Sequence, residues 1–153
     1  MKRLSWKYVA GLIDGEGCID IQTVYNKRLG YRNSFRPRVR VAMAENAKFV
    51  LDMLHNSYGG YLGFREHKNP NWQNAYSWEL VGYSKTISFL RNIVNHLYIK
   101  KEQVRFLIWM ETNLKGKQLN ENVINIVKEE LKLQKRDPHR LSEVAQERIL
   151  GML

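Results

Sequence analysis

A single cysteine, Cys18, stands in this chain of 153 residues, which excludes a disulfide framework. The four histidines, His55, His67, His96 and His139, are scattered, and no Cys/His spacing matches a zinc site. No apolar stretch is long enough to cross a bilayer and no leader is readable, so no membrane partner and an intracellular location (cytoplasm, nucleoid or organelle) are expected. No internal repeat is visible, nor any second segment like Ala-Gly-x-x-Asp-Gly. Acids are also scarce: 15 Asp and Glu face 25 Lys and Arg, a net charge of +10. That balance favours a polyanionic partner. The length suits one domain with a real core, spanning residues 1–153, with the core ending near residue 115 and further C-terminal helices over 116–153.

Against this basic background, two acids stand at one spot. Residues 9–17 read Val-Ala-Gly-Leu-Ile-Asp-Gly-Glu-Gly, an apolar run that stops in Asp14 and Glu16. Leu4, Tyr8 and Leu12 repeat at i, i+4, i+8, with Trp6, Val9 and Ile13 beside them, and predict a helix over 4–13 with a wide apolar surface. Ala10, Gly11 and Gly15 strip bulk from one stripe, so that another backbone can approach closely. Gly15 and Gly17 are expected to take the positive φ that ends a helix. Carboxylates at a helix C-terminus oppose the macrodipole, a misfit that a hard cation bound through oxygen would relieve. The alternative is a capped core helix whose acids are merely solvated. A cation beside basic surface, in turn, suggests phosphate.

Residues 26–40 hold Lys27, Arg28, Arg32, Arg36, Arg38 and Arg40 and no acid. Residues 36–41 alternate charged and uncharged side chains, the period of a strand, which sends Val39 and Val41 to the core and the three arginines to the other face. Residues 19–25 alternate too, setting Asp20, Gln22 and Val24 opposite Ile19, Ile21 and Thr23. Joined by a loop from Asn26 to Ser34, the two strands form a hairpin with one cationic face, a ribbon that fits the DNA major groove. Pro37 argues for an edge position or a strand start.

Downstream, Asn46 is expected to cap a helix over 47–56, with Gly59 and Gly60 breaking it. A second strand pair over 61–66 and 76–81 follows, with Arg65 and His67 sharing a face, as do Ser77 and Glu79. Trp72, Tyr76 and Trp78 either stack on unpaired RNA bases or fill the core. Helices are predicted over 85–96, 101–114, 122–135 and 138–150, the last opened by Asp137 and Pro138 as cap and first turn. The last two are expected to pack on the back of the sheet.

The nonapeptide resembles the signature of the LAGLIDADG homing endonucleases, matching it at Ala10, Gly11, Leu12, Ile13, Asp14 and Gly17 and departing from it at Val9, Gly15 and Glu16. The α-β-β-α-β-β-α order is similar as well. The resemblance implies an α+β fold in which a four-stranded antiparallel saddle sits on DNA with helices on its other face, here with extra C-terminal helices. It implies a metal-dependent DNA endonuclease with Mg²⁺ as cofactor, Mn²⁺ or Ca²⁺ being able to occupy the sites and Ca²⁺ non-productive. Glu16 is the implied direct ligand, with the Gly15 carbonyl beside it. Asp14 either shares the catalytic centre or holds the motif turn. Lys100 is the implied basic residue polarising water or the scissile phosphate; the alternative is a solvated helix-start lysine. The position where related enzymes often carry glutamine is Met43 here, with Glu45 and Asn46 nearby.

The DNA-reading surface expected from the two strand pairs comprises Asp20, Gln22, Val24, Asn26, Lys27, Arg28, Arg32, Ser34, Arg36, Arg38 and Arg40, then Arg65, His67, Ser77 and Glu79. Only one signature is present, which among relatives goes with a homodimer, its seam here at Ala10 and Gly11. The implied activity is a staggered double-strand cut with short 3′ overhangs in a long pseudo-palindromic target, promoting intron mobility. A chain opening on Met1 without flanking splicing sequence is expected to be intron-encoded and free-standing. Relatives also include RNA maturases that assist splicing of intron RNA, and DNA-binding regulators that do not cleave. No His-Asn-His or Gly-Ile-Tyr nuclease module is present.

Overall fold

Ser5 opens the first helix: its Oγ accepts the Tyr8 N–H at 3.2 Å while its own backbone stays extended (φ −68°, ψ 149°). Helix α1 therefore runs Trp6–Glu16, so Asp14 and Glu16 belong to its last turn instead of lying beyond it. Val9, Ala10 and Ile13 are fully buried. The computed structural model describes residues 3–26, 32–66, 68, 69, 71 and 74–153, and of residues 25, 26, 32 and 33 the backbone alone.

The expected positive φ at the motif glycines is not found. Among the described residues it occurs at Gly59, Gly60, Gly82 and Gly116, whereas Gly17 has φ −81°. Gly17 supplies room instead. Its N–H bonds the Ile13 carbonyl as the chain turns straight into a strand, and a Cβ there would lie 2.7 Å from Ile13 O and 2.9 Å from Ile13 Cα. Gly17→Ala should therefore destabilise the fold by about 1–3 kcal/mol, the range of forced overpacking. Gly15→Ala, which meets open space, should hold or raise stability. Urea midpoints of the two variants test the contrast.

Strands β1 (Gly17–Asn26) and β2 (Arg32–Ala44) pair antiparallel. Helix α2 (Lys48–Tyr58) leads through Gly59 and Gly60 to β3 (Tyr61–Arg65) and β4 (Ala75–Val81). The sheet order is β1-β2-β4-β3, antiparallel throughout. Helices α3 (Tyr83–Ile93), α4 (Lys101–Leu114), α5 (Glu121–Arg136) and α6 (Glu143–Leu150) complete the α+β chain in the expected order. One face of the sheet, carrying Ile19, Val39, Val41, Trp78 and Leu80, is buried against helices through Ile13, Leu51, Leu54, Ile87 and Leu90. The opposite face is left to solvent. No described helix is long and apolar enough to cross a membrane.

Four local expectations need correction. Asn46 caps nothing: Glu45–Ala47 form a 3-10 turn, and Ala47 precedes α2 without a side-chain cap. The third helix stops at Ile93, before a 3-10 turn at Val94–His96. Pro37 lies in an interior strand, but pairing of β2 with β4 begins only at Arg38, so the missing N–H costs no ladder bond on that side. Helix α6 starts at Glu143, well after Pro138. Asp137 instead closes α5, its Oδ1 accepting the His139 N–H at 3.1 Å, while Arg140 donates from Nε and Nη2 to the two carboxylate oxygens of the buried Glu130 at 3.0 and 3.1 Å. Helix α5 packs chiefly on α4, and α6 on α5, so this pair adds a layer outside α4.

Candidate metal centre and nucleic-acid interface

The end of α1 and the start of α4 hold each other. Asp14 accepts the backbone N–H groups of Tyr98 at 2.7 Å, Ile99 at 3.1 Å and Lys100 at 3.0 Å. The Lys100 ammonium in turn donates to the Asp14 carbonyl at 2.7 Å. Lys100 is the N-cap residue of α4 and offers no side-chain cap of its own, so Asp14 supplies the negative charge that this helix start favours. The ammonium likewise sits at the electronegative end of α1. Asp14 is thus at the wrong end of its own helix and at the right end of another.

Glu16 has no such engagement. It is exposed, and no hydrogen bond or ion pair reaches it among the described residues. Nor do any three His, Cys, Asp or Glu side chains among those residues come together to hold a metal ion. Of the two motif carboxylates in one copy of the chain, Glu16 alone is free among the described residues. A hard cation such as Mg²⁺ is commonly held by one or two carboxylates with substrate phosphates and waters, so oxygen donors of this kind fit it.

The solvent face of the sheet carries the arginines. Across β1 and β2 the register sets Cys18 beside Arg40, Asp20 beside Arg38, Gln22 beside Arg36 and Val24 beside Ser34. The basic segment has no acid of its own, but one reaches it from the neighbouring strand. Asp20 accepts from Arg38 Nε at 2.8 Å and Nη2 at 2.7 Å, both side chains being about three-quarters covered. That hydrogen bond outweighs partial burial and raises the Arg38 pKa above its ordinary value. Arg36 and Arg40 remain exposed.

Arg40 and Arg65, distant in sequence, line one recess of about 280 Å³ with Ala42, Ala75, Tyr76 and Ser77. A larger hollow of about 420 Å³, lined by Arg3, Trp6, Tyr58 and Lys85 among others, lies at the first turn of α1, the opposite end from Glu16. Glu79 faces Arg40 in the register, completing the polar row on β4.

Other expected residues fall differently. Lys27, Arg28 and His67 lie outside the described residues, and Asn26 and Arg32 are placed by their backbone alone, at the paired ends of β1 and β2. Ala10 is buried in the core of its own chain and presents no surface to a partner. Gly11 and Gly15 are exposed with open space around them, beside the half-exposed Tyr8. Met43 packs against the core, leaving Glu45 and Asn46 exposed. Trp78 is fully buried and donates its indole N–H to the Gly59 carbonyl at 2.7 Å, so it is not free to stack on a base. Tyr76 packs on Phe64, and Trp72 lies outside the described residues.

Sequence reasoning missed Cys18 and the small residues Ala42 and Ala75. The two-residue alternation through Asp20 and Gln22 extends back to Cys18 and could have found it. Nothing local marks Lys135, whose Nζ lies 4.0 Å from Cys18 Sγ.

The LAGLIDADG endonuclease family model matches residues 9–113, well over half of the chain. No curated protein matches. Among solved structures, the homing endonuclease I-CvuI, in complex with its target in the presence of calcium, superposes with a TM-score of 0.67 at 19% identity, over 93% of this chain and 90% of that one. An archaeal intron-encoded homing endonuclease complexed with DNA gives 0.61 at 18%, over 88% and 84%. The LAGLIDADG meganuclease I-AabMI, bound to uncleaved DNA, gives 0.59 at 16%, with 88% of this chain covering only 50% of that one. At these identities the structures share a fold. With the family model, the strand order and the carboxylate-bearing end of α1 in agreement, the chain belongs to the LAGLIDADG endonuclease family and is a DNA endonuclease by class.

Proposed function

We propose that the protein is a site-specific homing endonuclease. As a homodimer it makes a staggered double-strand cut with short 3′ overhangs in a long pseudo-palindromic DNA, and so promotes the mobility of its intron. The observation that carries this reading is Glu16: an exposed carboxylate with no partner among the described residues, at the end of α1, beside a sheet face bearing free arginines.

Glu16 and the Gly15 carbonyl would hold the divalent cation. Gly15 lies in the last turn of α1, where a helix leaves carbonyls without intrahelical donors, and two others there are already used by the Gly17 N–H and the Lys100 ammonium. When bound, Mg²⁺ supplies charge stabilisation at the phosphate and activation of water. The chain's own work is placement. Asp14 fixes the 98–100 segment and Lys100 to the motif, so the only basic side chain on that segment sits against the last turn of α1. Arg36, Arg40 and Arg65 engage the duplex, and the Asp20 contact orients Arg38 in advance.

The inventory of one copy supports the dimer. It has one motif and one free motif carboxylate, and it corresponds to half of a double-length relative. A two-fold axis along the exposed Gly11 and Gly15 stripe would bring two Glu16 side chains together and present the same surface to each half-site.

A cleavage selection tests the whole reading. Purified protein is incubated with a randomised duplex library in Mg²⁺ or in EDTA, and the cut ends are sequenced. One pseudo-palindromic site with staggered ends, lost in EDTA, is the expected result; specific retention without cuts would overturn it in favour of a regulator or a maturase. On the recovered site, Arg40→Ala should weaken binding by about 1–3 kcal/mol, the value of a bidentate base contact. An equal loss from Lys117→Ala, an exposed residue between α4 and α5, would remove the claim that Arg40 reads bases.

A further inference from the structure

The C-terminal helix pair reaches the nuclease face at one point. Lys135, in the last turn of α5, places its Nζ 4.0 Å from Cys18 Sγ. Cys18 follows Glu16 by two residues, points out from the solvent face of the sheet, and has Arg40 as its cross-strand neighbour. Strand β1 is an outer strand of the sheet in one copy of the chain, so its start is open to a helix coming round the edge.

The approach is held in place by polar contacts. Gln134, the residue before, is fully buried and donates to the Glu102 carbonyl in the first turn of α4 and to the Arg140 carbonyl, each at 3.3 Å. The Arg140 pair with buried Glu130 fixes the turn that follows α5. Through α4 this end is tied to Lys100, and through Lys100 to Asp14 and the motif.

Lys135 itself is exposed and has no ion pair among the described residues. Nearby Asp20 is consumed by Arg38. Around Cys18, then, lie the cations of Lys135 and Arg40, with Glu79 facing Arg40 from β4 and the Glu16 carboxylate at the end of α1. An ammonium so placed is a point charge suited to a phosphodiester oxygen, without base preference.

We propose, resting on the nuclease reading above, that Lys135 is a DNA phosphate-binding residue of the cleavage face, and that the C-terminal helices serve to deliver it beside Glu16. Each phosphate neutralised adds a recognisable step to the salt sensitivity of binding, and removing the cation takes that step away.

The test uses the intact protein and a short random-sequence duplex, so no cognate site is needed. Lys135→Met should reduce the slope of log Kd against log salt by about one, with an unchanged melting temperature. Lys128→Met, on the same helix face about 10 Å further back, should leave the slope unaltered. Cys18 is the sole cysteine, so its alkylation rate reports on this spot alone, and bound duplex should slow it several-fold. Protection of Cys18 with an unchanged slope in Lys135→Met would overturn the proposal and leave the nuclease reading standing. A bound duplex that leaves Cys18 fully reactive would overturn both.

Discussion

Glu16→Gln should abolish cleavage of the recovered target while leaving its affinity within a few-fold of the parent. The substitution keeps length, shape and a carbonyl oxygen but removes the charge that would hold the cation. Losing several kcal/mol of transition-state stabilisation corresponds, at 1.36 kcal/mol per tenfold, to a rate drop of roughly a thousandfold or more. Binding should survive because the contacts assigned to it lie elsewhere: Arg36 and Arg40 on β2 and Arg65 on β3. The fold should survive too, since Glu16 is exposed and bonds to nothing among the described residues. Single-turnover cleavage and equilibrium binding measured on one preparation separate these effects. A Glu16→Gln protein that no longer binds DNA would make this carboxylate structural and return the metal assignment to Asp14.

Asp14→Asn is the informative companion. Three backbone N–H groups converge on that carboxylate, so the variant should lose stability and activity together as α4 loosens from the motif. Two acids two residues apart thus separate by the kind of loss each produces.

The difference between these acids shows where the amino-acid order was legible and where it was not. That α1 would end in carboxylates, and that β1 and β2 would expose a cationic face, follows from local periodicity, because one face of each element must bury its apolar residues. Val9, Ile13, Ile19, Val39 and Val41 all went where their spacing sends them. What Asp14 bonds to lies 84 to 86 residues away, and no periodicity carries that information. The same holds for Asp20 on Arg38, which is set by hairpin register, and for Lys135 beside Cys18, which is set by how α5 stacks outside α4. The constraint at Gly17 is close approach to Ile13, not the left-handed backbone expected of a glycine at a helix end. Ala10 and Gly11 are alike in being small, yet one helical step of about 100° puts the first in the core and the second at the surface.

That one step decides where a partner chain could sit, and Gly11→Leu tests it. In one copy of the chain, a Cβ at Gly11 meets nothing within 4 Å. The substitution should therefore leave the monomer folded, and replacing a helical glycine should if anything stabilise it. In a two-fold dimer built on this stripe, the same side chain enters the seam twice. Overpacking costs about 1–3 kcal/mol for each side chain forced in, so two copies cost about 2–6 kcal/mol. Converted at 1.4 kcal/mol per decade, the dimer dissociation constant should rise from roughly thirtyfold to more than ten-thousandfold. Each monomer would still carry Glu16 and its arginines, but double-strand cleavage needs two motif ends at once. Nicking or loss of cutting, in step with a monomeric sedimentation profile and an unchanged melting temperature, is the expected signature. A variant that sediments as a dimer and cuts both strands would place the seam on another face and remove the reason for two exposed glycines, Gly11 and Gly15, four residues apart on α1.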